Sequence, residues 1–167
     1  MTKRPSSLHC TVSMTNFIGL ISDTHGLLRP EALGVLQGCD LIIHAGDLGS
    51  PDIVGELLRI APVHAVRGNV DMGGWADDLP VNEVVSYGNH TVFILHDLDQ
   101  LDLEPGAADI AVVVSGHTHR PHIDERGNCL FFNPGSAGPR RFELPVTVGR
   151  LTFPQDKPRA EIIHLPV

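Results

Sequence analysis

Three cysteines are all that this 167-residue chain contains, and no two of them have the C-x-x-C spacing of a zinc ribbon or a redox pair. An odd number of cysteines also argues against a framework of disulfide bonds. No apolar run approaches the roughly 18 residues that a membrane-spanning helix requires. The first thirteen residues lack the apolar segment of a signal peptide. The sequence therefore predicts a protein of the reducing cytoplasm, with no membrane partner.

Basic residues are scarce as well. Lys and Arg number 12 against 20 Asp and Glu, which gives a formal net charge of -8. An acidic surface repels the phosphate backbone, so we expect no binding to nucleic-acid duplexes. A small phosphate ester is still compatible with this charge, because bound divalent cations reverse the local sign.

The length suits one domain, and the polar, aperiodic segment 1–13 predicts a disordered N-terminal extension before a domain over residues 14–167. Beyond that segment, short apolar runs predict buried strands, and proline near a helix start predicts helices between them. The expected order is strand 17–22, helix 29–36, strand 41–45, helix 50–60 and strand 63–66. Alternation of this kind predicts a parallel βαβαβ unit.

The second half of the chain is richer in strands. The turn pair Gly88-Asn89 predicts a hairpin formed by residues 81–87 and 91–95. A short helix is expected within 98–108, and further strands at 110–115, 121–124, 129–133, 146–153 and 160–165. An α/β half followed by a strand-rich half fits two packed mixed sheets with helices outside.

Residues of the metal-binding type stand where the predicted strands end. They are Asp23, His25, Asp47, Asn69, His96, His117 and His119. Ligands bind at the carboxyl edge of an open α/β sheet, so we expect these side chains to meet there. Asp-x-His and His-x-His on extended backbone place both side chains on one face, within reach of one ion or two adjacent ions. Oxygen and imidazole ligands together suit divalent Mn, Fe, Ni, Co or Zn.

These residues also form a series of short motifs. The series is Asp-x-His at 23–25, Gly-Asp at 46–47, Gly-Asn at 68–69, a histidine at 96 and Gly-His-x-His at 116–119. In this order the motifs resemble those of the calcineurin-like metallophosphoesterases. Asn-Pro-Gly-Ser at 133–136 narrows the resemblance to the small single-domain phosphodiesterase branch of bacteria and archaea. The resemblance covers about residues 15–165 and implies a four-layer α-β-β-α sandwich of two mixed sheets.

The resemblance implies two divalent cations, with manganese the first expectation. One cation would be bound by Asp23, His25 and His119, the other by Asn69, His96 and His117, and Asp47 would bridge both. A hydroxide held between the cations, beside Asp47 and Asn69, would attack phosphorus in line. Asp71 is a further candidate for a catalytic group.

Two positions depart from the motifs of the wider superfamily. Many members have a histidine after Gly-Asn that is thought to assist the leaving group, whereas this chain has Val70 followed by Asp71. The small phosphodiesterase branch commonly lacks that histidine too. Branch members often read His-Gly-His where this chain reads His96-Asp97-Leu98, so substrate contacts beyond the cations cannot be carried over.

Three further features each have two interpretations. His44 lies on a predicted buried strand, where it is either a satisfied core histidine or a support for the ligands. Segment 133–136 is either a turn or a loop that supports the site. Arg140 and Arg141 are either surface charges or groups that attract a phosphate.

The complete ligand set predicts a metal-dependent phosphoesterase, first of all a phosphodiesterase acting on a small phosphate ester. A phosphomonoesterase or nucleotide hydrolase would use the same metal chemistry and stays open as an alternative. The other alternative is a non-catalytic metal-binding scaffold, because the retromer scaffold subunit has this fold with a degraded metal site. Small domains of the family often assemble, so we expect a homo-oligomer, either a dimer or a tetramer.

Overall fold

The computed structural model describes residues 16–167, so the disordered extension predicted for residues 1–13 lies outside the described residues. The described chain forms two α-helices, α1 (Pro30–Leu36) and α2 (Asp52–Leu57). Its ten strands are β1 (Ile18–Ile21), β2 (Leu41–His44), β3 (Val63–Ala65), β4 (Asn82–Tyr87), β5 (His90–Leu95), β6 (Val112–Val114), β7 (His122–Arg126), β8 (Cys129–Asn133), β9 (Thr147–Thr152) and β10 (Arg159–His164). Among residues 16–167, no helix is long and apolar enough to cross a membrane.

The strands form two mixed sheets of five strands each. In the first sheet the order is β10-β9-β1-β2-β3, and β1, β2 and β3 are parallel to one another. In the second the order is β4-β5-β6-β8-β7, and its central strands β5, β6 and β8 are parallel. The predicted βαβαβ unit and both predicted hairpins are therefore confirmed.

Apolar side chains of the two sheets pack face to face. Ile43 and Val66 from the first sheet share a fully buried cluster with Val92 and Val112 from the second, and Phe132 is also part of it. Alternation along β1 sends Ile18 and Leu20 into this cluster and Ile21 to the opposite face. Burial of one such side chain contributes about 1.5–3 kcal/mol to folding.

Both α-helices cover the outer face of the first sheet. Pro30 occupies the first turn of α1, where its missing N–H costs no hydrogen bond, and Ala32 and Leu36 face inward. Gly19 permits this close packing, because a Cβ there would collide with the Leu36 side chain. Helix and sheet therefore meet through a small residue on β1.

The outer layer over the second sheet differs from the predicted helix within residues 98–108. A 3-10 helix spans only Leu98–Gln100, and turns follow it. Pro105 and Gly106 lie within the predicted range and do not favour a continuous α-helix. Leu98, together with Leu101 and Leu103, still covers the apolar outer face of this sheet, so the fourth layer of the sandwich exists as a short helical turn with loops.

Candidate metal centre

A first group of ligand atoms comes from the loops after β1 and β6. The Nε2 atom of His119 lies 3.2 Å from Oδ1 of Asp23 and 3.1 Å from Nε2 of His25. His25 Nε2 is 3.9 Å from the same Asp23 oxygen. Asp23 is fully buried and His119 nearly so, while His25 is partly exposed. Three donor atoms from segments 94 residues apart therefore face one point.

A second group forms around the side-chain oxygen of Asn69. His96 Nε2 and His117 Nδ1 each lie 3.1 Å from Asn69 Oδ1. The other ring nitrogen of His96, Nδ1, lies 2.7 Å from the Ala45 carbonyl oxygen and donates its proton to it. That bond fixes the tautomer, so the lone pair of a neutral His96 lies on Nε2 and points into the group.

Asp47 lies between the two groups. Its Oδ2 atom is 3.3 Å from Nε2 of His96 in the second group and 3.8 Å from Nε2 of His25 in the first. Its Oδ1 atom accepts a hydrogen bond of 3.0 Å from the Val70 N–H, which fixes the carboxylate plane. The position predicted for a bridging ligand is therefore occupied by a carboxylate that faces both groups.

The backbone of the site adopts a conformation that side chains rarely take. Five of the seven predicted ligands have positive φ: Asp23 (53°), His25 (46°), Asp47 (56°), His117 (70°) and His119 (59°). Left-handed backbone at a residue other than glycine costs of order 1 kcal/mol or more, and such residues cluster at functional sites. The loops therefore hold the ligands in place against a local conformational cost.

Two glycines allow these loops to approach one another closely. A Cβ at Gly68 would collide with the Asp47 carboxylate and backbone, and a Cβ at Gly116 would collide with Ser22 Oγ. Ser22 Oγ itself donates a hydrogen bond of 2.7 Å to Asp23 Oδ2. Both glycines directly precede predicted ligands. The small size of Gly68 brings two loops of the first sheet together, and that of Gly116 brings a loop of the second sheet against the first.

His44 supports the site from within the core. The Gly46 N–H donates to its Nδ1 atom at 3.2 Å, so its proton lies on Nε2, which is 2.9 Å from Thr24 Oγ1. The Thr24 hydroxyl in turn donates to the Leu48 carbonyl oxygen at 3.0 Å. Complete burial lowers the pKa of His44 to about 4, so the ring is neutral at pH 7. Both ring nitrogens of His44 thus have hydrogen-bond partners in the core, and the ring connects the loops that carry Asp23 and Asp47.

The segment Asn133-Pro134-Gly135-Ser136 contacts both ligand loops of the first group. Asn133 Nδ2 donates to the Gly116 carbonyl oxygen at 2.7 Å, and Ser136 Oγ donates to the Asp23 carbonyl oxygen at 2.9 Å. Within the segment, the Gly135 N–H donates to Asn133 Oδ1 at 2.9 Å. These contacts favour the interpretation of segment 133–136 as a loop that supports the site over that of a simple turn.

Asp71, the further catalytic candidate, lies beside the second group and is held by backbone N–H groups. Its carboxylate is almost fully buried and accepts hydrogen bonds from the N–H groups of Gly68 and Gly49, each at 2.9 Å, and of Leu48 at 3.2 Å. Three backbone donors hold this carboxylate in one orientation. Asp71 is thereby an anchor for the loops around Asp47, and its role as a catalytic group stays a prediction.

The arrangement has the properties of a cation site. Asp23 Oδ1 is buried without a hydrogen-bond partner, since His119 approaches it at a geometry that does not form one. His25 and His119 point ring nitrogens at each other, which leaves at least one lone pair unmatched unless a cation or proton lies between them. Two sets of side chains meet metal-ligand spacing: Asp23, His25, His119 and Asp23, Asp47, His96. Carboxylate and imidazole donors in this number fit divalent cations.

The ionisable groups respond to these neighbours. Burial alone would raise the pKa of the Asp47 carboxyl, but hydrogen bonds with His96 and Val70 hold it below its usual value. Burial alone would lower the pKa of His96, but its bonds to Asp47 and the Ala45 carbonyl raise it. Burial lowers the pKa of His25, against the attraction of Asp47. The ionised Asp47 carboxylate therefore favours positive charge at His96, whereas burial favours the neutral ring at His25.

Comparison with known proteins identifies the family. Residues 17–156 match the calcineurin-like phosphoesterase superfamily domain. The chain belongs to this superfamily. It is 38% identical over 162 residues to a probable metallophosphoesterase of Methanothermobacter thermautotrophicus, which covers 88% of this chain and 91% of that protein. The resemblance predicted from the short motifs is confirmed, and with it a hydrolase family that binds divalent metals.

Solved structures of related proteins include both enzymes and a sorting protein. An archaeal phosphodiesterase is 25% identical, with a TM-score of 0.73 over 88% of this chain and 99% of that chain. Vacuolar protein sorting 29 of Cryptosporidium parvum is 19% identical, with a TM-score of 0.68 over 90% of this chain and 97% of that chain. The sandwich of two mixed sheets is therefore the metallophosphoesterase fold.

In this calcineurin-like phosphoesterase a cavity of about 520 Å³ opens beside the second group of ligands. Asn69, His96 and His117 form its inner end, and its outer wall includes Arg67, Met72, Val81, Asn82 and Gln100. The cavity is large enough for an organic group next to the metal ligands, within the usual size range of ligand pockets. None of the motif residues predicted this outer wall.

Arg140 and Arg141 point to different places. Arg140 Nη2 donates to the carbonyl oxygen of Val167 at 2.5 Å, away from the ligands. Arg141 Nη2 lies 3.4 Å from Nε2 of His25, at the rim of the first group. Sequence reasoning treated the two arginines alike, and the structure separates them. Adjacent residues with the same chemistry give no signal that would have told them apart.

Proposed function

We propose that this member of the superfamily is a phosphodiesterase that uses two divalent cations, with manganese as the first candidate. The observation that carries the proposal is the position of Asp47 Oδ2, 3.3 Å from His96 Nε2 and 3.8 Å from His25 Nε2. A carboxylate between two sets of oxygen and imidazole donors is a ligand arrangement that suits a pair of cations. Asp23, His25 and His119 would hold one cation, and Asn69, His96 and His117 the other.

Two cations bound there would lower the pKa of a water molecule toward about 7, which would supply a nucleophile near neutral pH, and would neutralise charge on the phosphoryl oxygens. Asp47 is oriented for its bridging position by the Val70 N–H. Asn69 directs its carbonyl oxygen toward His96 and His117, so its amide group faces outward and can donate to a phosphate oxygen. These residues position the reacting groups before substrate arrives.

One observation supports a diester as substrate, and a second indicates which leaving groups depart readily. The cavity of about 520 Å³ beside the second group leaves room for an organic substituent on the phosphorus atom. At position 70, valine cannot donate a proton, and the neighbouring Asp71 is held by three backbone N–H groups. A general acid contributes about 10²–10⁴-fold to departure of a poor leaving group. We therefore expect aryl diesters, whose leaving groups need no proton, to react much faster than alkyl diesters.

The test uses the purified chain, loaded with Mn, Ni or Co and compared with chelated protein. Rates are measured for a series of aryl and alkyl phosphodiesters and for aryl phosphate monoesters. We expect metal-dependent turnover, higher kcat/KM for diesters, and a steep negative slope of log rate against leaving-group pKa. Val70→His is expected to flatten this slope by raising the rates of poor leaving groups.

The same measurements distinguish the alternatives. Preference for aryl monoesters or nucleotides would identify a phosphomonoesterase or nucleotide hydrolase. Metal binding without turnover of any ester would identify a non-catalytic scaffold. Full turnover in excess chelator after exhaustive dialysis would overturn the metal-dependent reading altogether.

A further inference from the structure

We infer that Arg141 is a phosphate-binding residue. Its guanidinium, which lies beside the first ligand group, donates hydrogen bonds to a non-bridging oxygen of the substrate. The inference rests on the proposed function and names a substrate contact for that site. Its starting point is the position of Arg141 Nη2, 3.4 Å from His25 Nε2, which is itself 3.8 Å from Asp47 Oδ2. Only the His25 ring therefore separates the Arg141 guanidinium from the Asp47 carboxylate.

The segment that carries Arg141 is fixed to the centre and to the rest of the fold. Arg29 Nε donates to the Gly138 carbonyl oxygen at 3.2 Å, and the Gly138 N–H donates to Ser136 Oγ at 3.3 Å. Gly138 packs so closely on the loop after β1 that a Cβ would collide with the carbonyl oxygens of Asp23 and Thr24. Three residues before Arg141, the backbone is therefore anchored to the loop that carries Asp23.

On the other side of this segment, Arg140 donates to the carbonyl oxygen of Val167. The Arg140 guanidinium is thereby occupied by Val167, whereas the neighbouring Arg141 is exposed and points toward His25. Within residues 16–167, no carboxylate lies within ion-pair distance of the Arg141 guanidinium. An arginine at the rim of a cation centre without an acidic partner has donors available for an anion.

The contact between Arg141 and His25 depends on the lone pair of His25 Nε2. A histidine nitrogen can give that lone pair to an arginine N–H or to a divalent cation, but not to both. When His25 serves as a metal ligand, the Arg141 N–H loses this acceptor while its segment stays in place. The guanidinium then presents its planar set of donors beside the centre, a shape that matches two oxygens of a phosphate group.

The position of Arg141 also gives the substrate an orientation. Arg141 stands beside His25 in the first group, whereas the cavity of about 520 Å³ opens beside Asn69, His96 and His117 in the second. A phosphodiester centred over Asp47 would direct a charged oxygen toward Arg141 and an organic substituent toward the cavity. Arg141 therefore contributes to binding of the phosphoryl group common to all substrates, while the cavity selects the substituent.

The experiment compares Arg141→Ala and Arg141→Lys with Arg159→Ala in the metal-loaded full chain. Arg159 is exposed on β10, and its replacement changes the net charge by the same amount. Binding of inorganic phosphate is measured by calorimetry, and KM and kcat are measured with an aryl phosphodiester. Loss of a charged hydrogen bond predicts about 10- to 100-fold weaker phosphate binding and a similar rise in KM for Arg141→Ala. Arg141→Lys should lie between Arg141→Ala and wild type, because an ammonium cannot form two parallel hydrogen bonds.

Metal content and melting temperature are measured for every variant. The inference is overturned if Arg141→Ala binds phosphate as tightly as Arg159→Ala, or if wild type binds none. It is also overturned if Arg141→Ala loses its cations, since the arginine would then act through His25. Failure of the proposed function gives a different result: no ester is hydrolysed, yet phosphate binding still depends on Arg141.

Discussion

The two groups of ligands differ in how far the protein alone satisfies them. In the first group, Asp23 Oδ1 and His119 Nδ1 are buried without hydrogen-bond partners, and two imidazole nitrogens face each other. In the second, Asn69 Oδ1 lies 3.1 Å from ring nitrogens of both His96 and His117. Asn69 and His117 are also exposed, whereas Asp23 is fully buried.

This difference indicates where a cation matters most for the folded state. An unpaired buried polar group costs about 1–3 kcal/mol, and more when it is charged. The first group carries that cost in the absence of a cation, while water can reach the exposed Asn69 and His117 of the second. The first group should therefore link metal binding to stability, and the second should present the cation to substrate. The predictions below test this division, beginning with the residue that both groups share.

Asp47→Asn is expected to have the largest effect on activity, because Asp47 faces both groups. Loss of a residue that only supports a metal ligand typically costs about 10–100-fold, so loss of the shared ligand should reduce kcat/KM by more than about 10²-fold. Steady-state rates with an aryl phosphodiester measure the effect. Asp124→Asn, on β7, where a partly exposed carboxylate pairs with Arg126, is the matched control and should leave the rates unchanged. Equal rates for the two variants would contradict the bridging position.

His44 predicts a pH dependence of stability in chelated protein. Its folded pKa of about 4 lies below the unfolded value of 6.5, so unfolded chains bind the extra proton between these two pH values. The contribution of neutral His44 to the free energy of unfolding is complete above pH 6.5 and falls by about 3 kcal/mol as pH decreases toward 4. Denaturant titrations of wild type and His44→Gln at several pH values measure it. The variant should show a shallower pH dependence, whereas His122→Gln, at an exposed site, should retain the wild-type slope.

Metal binding is expected to stabilise the fold mainly through the first group. At a cation concentration of about 100 times Kd, binding raises the free energy of unfolding by about 2.7 kcal/mol. For a domain of this length that corresponds to a rise in Tm of about 5–10 °C. His119→Ala should lose most of this rise, and His117→Ala should lose less of it, as measured by calorimetry with and without chelator. The reverse order would show that the second group binds the tighter cation.

Gly116→Ala should give the smallest of these effects. A methyl group there would collide with Ser22 Oγ and Asp23 Oδ2, so we expect destabilisation of about 1–3 kcal/mol and weaker metal binding by the first group. Gly34→Ala provides the control, because no atom lies within 4 Å of the added carbon in α1. That control should be neutral or stabilising by up to about 1 kcal/mol. Chemical denaturation and metal titration of both variants provide the comparison.

Much of the fold could be predicted because its signals are local. Short apolar runs identified β1, β2 and β3, and Gly88-Asn89 identified the turn between β4 and β5. Of the short helix predicted within 98–108, only a 3-10 turn at Leu98–Gln100 forms, because leucines at 98, 101 and 103 give an apolar pattern that turns can also bury. Packing against the second sheet determined the conformation of this segment. A local sequence pattern carries no information about that packing.

The candidate site was predictable as a set of residues but not as a geometry. Strand ends and short motifs brought the seven ligands together, yet the left-handed backbone at Asp23 or His119 has no signature in composition. The contact between Arg141 and His25 joins residues 116 positions apart, a distance over which a single sequence carries no information. The choice of manganese, the homo-oligomer, the cytoplasmic location and the individual ligand roles stay predictions.

Every predicted ligand stands on a loop beyond the end of a strand, while the apolar clusters that join the layers lie between and outside the sheets. The fold can therefore be retained in evolution while the metal ligands change. Substitution of a ligand on one of these loops would therefore leave the apolar clusters that hold the sheets together unchanged. The loops could then take on contacts with other molecules. The fold itself is shared at 19% identity with a protein named for vacuolar sorting.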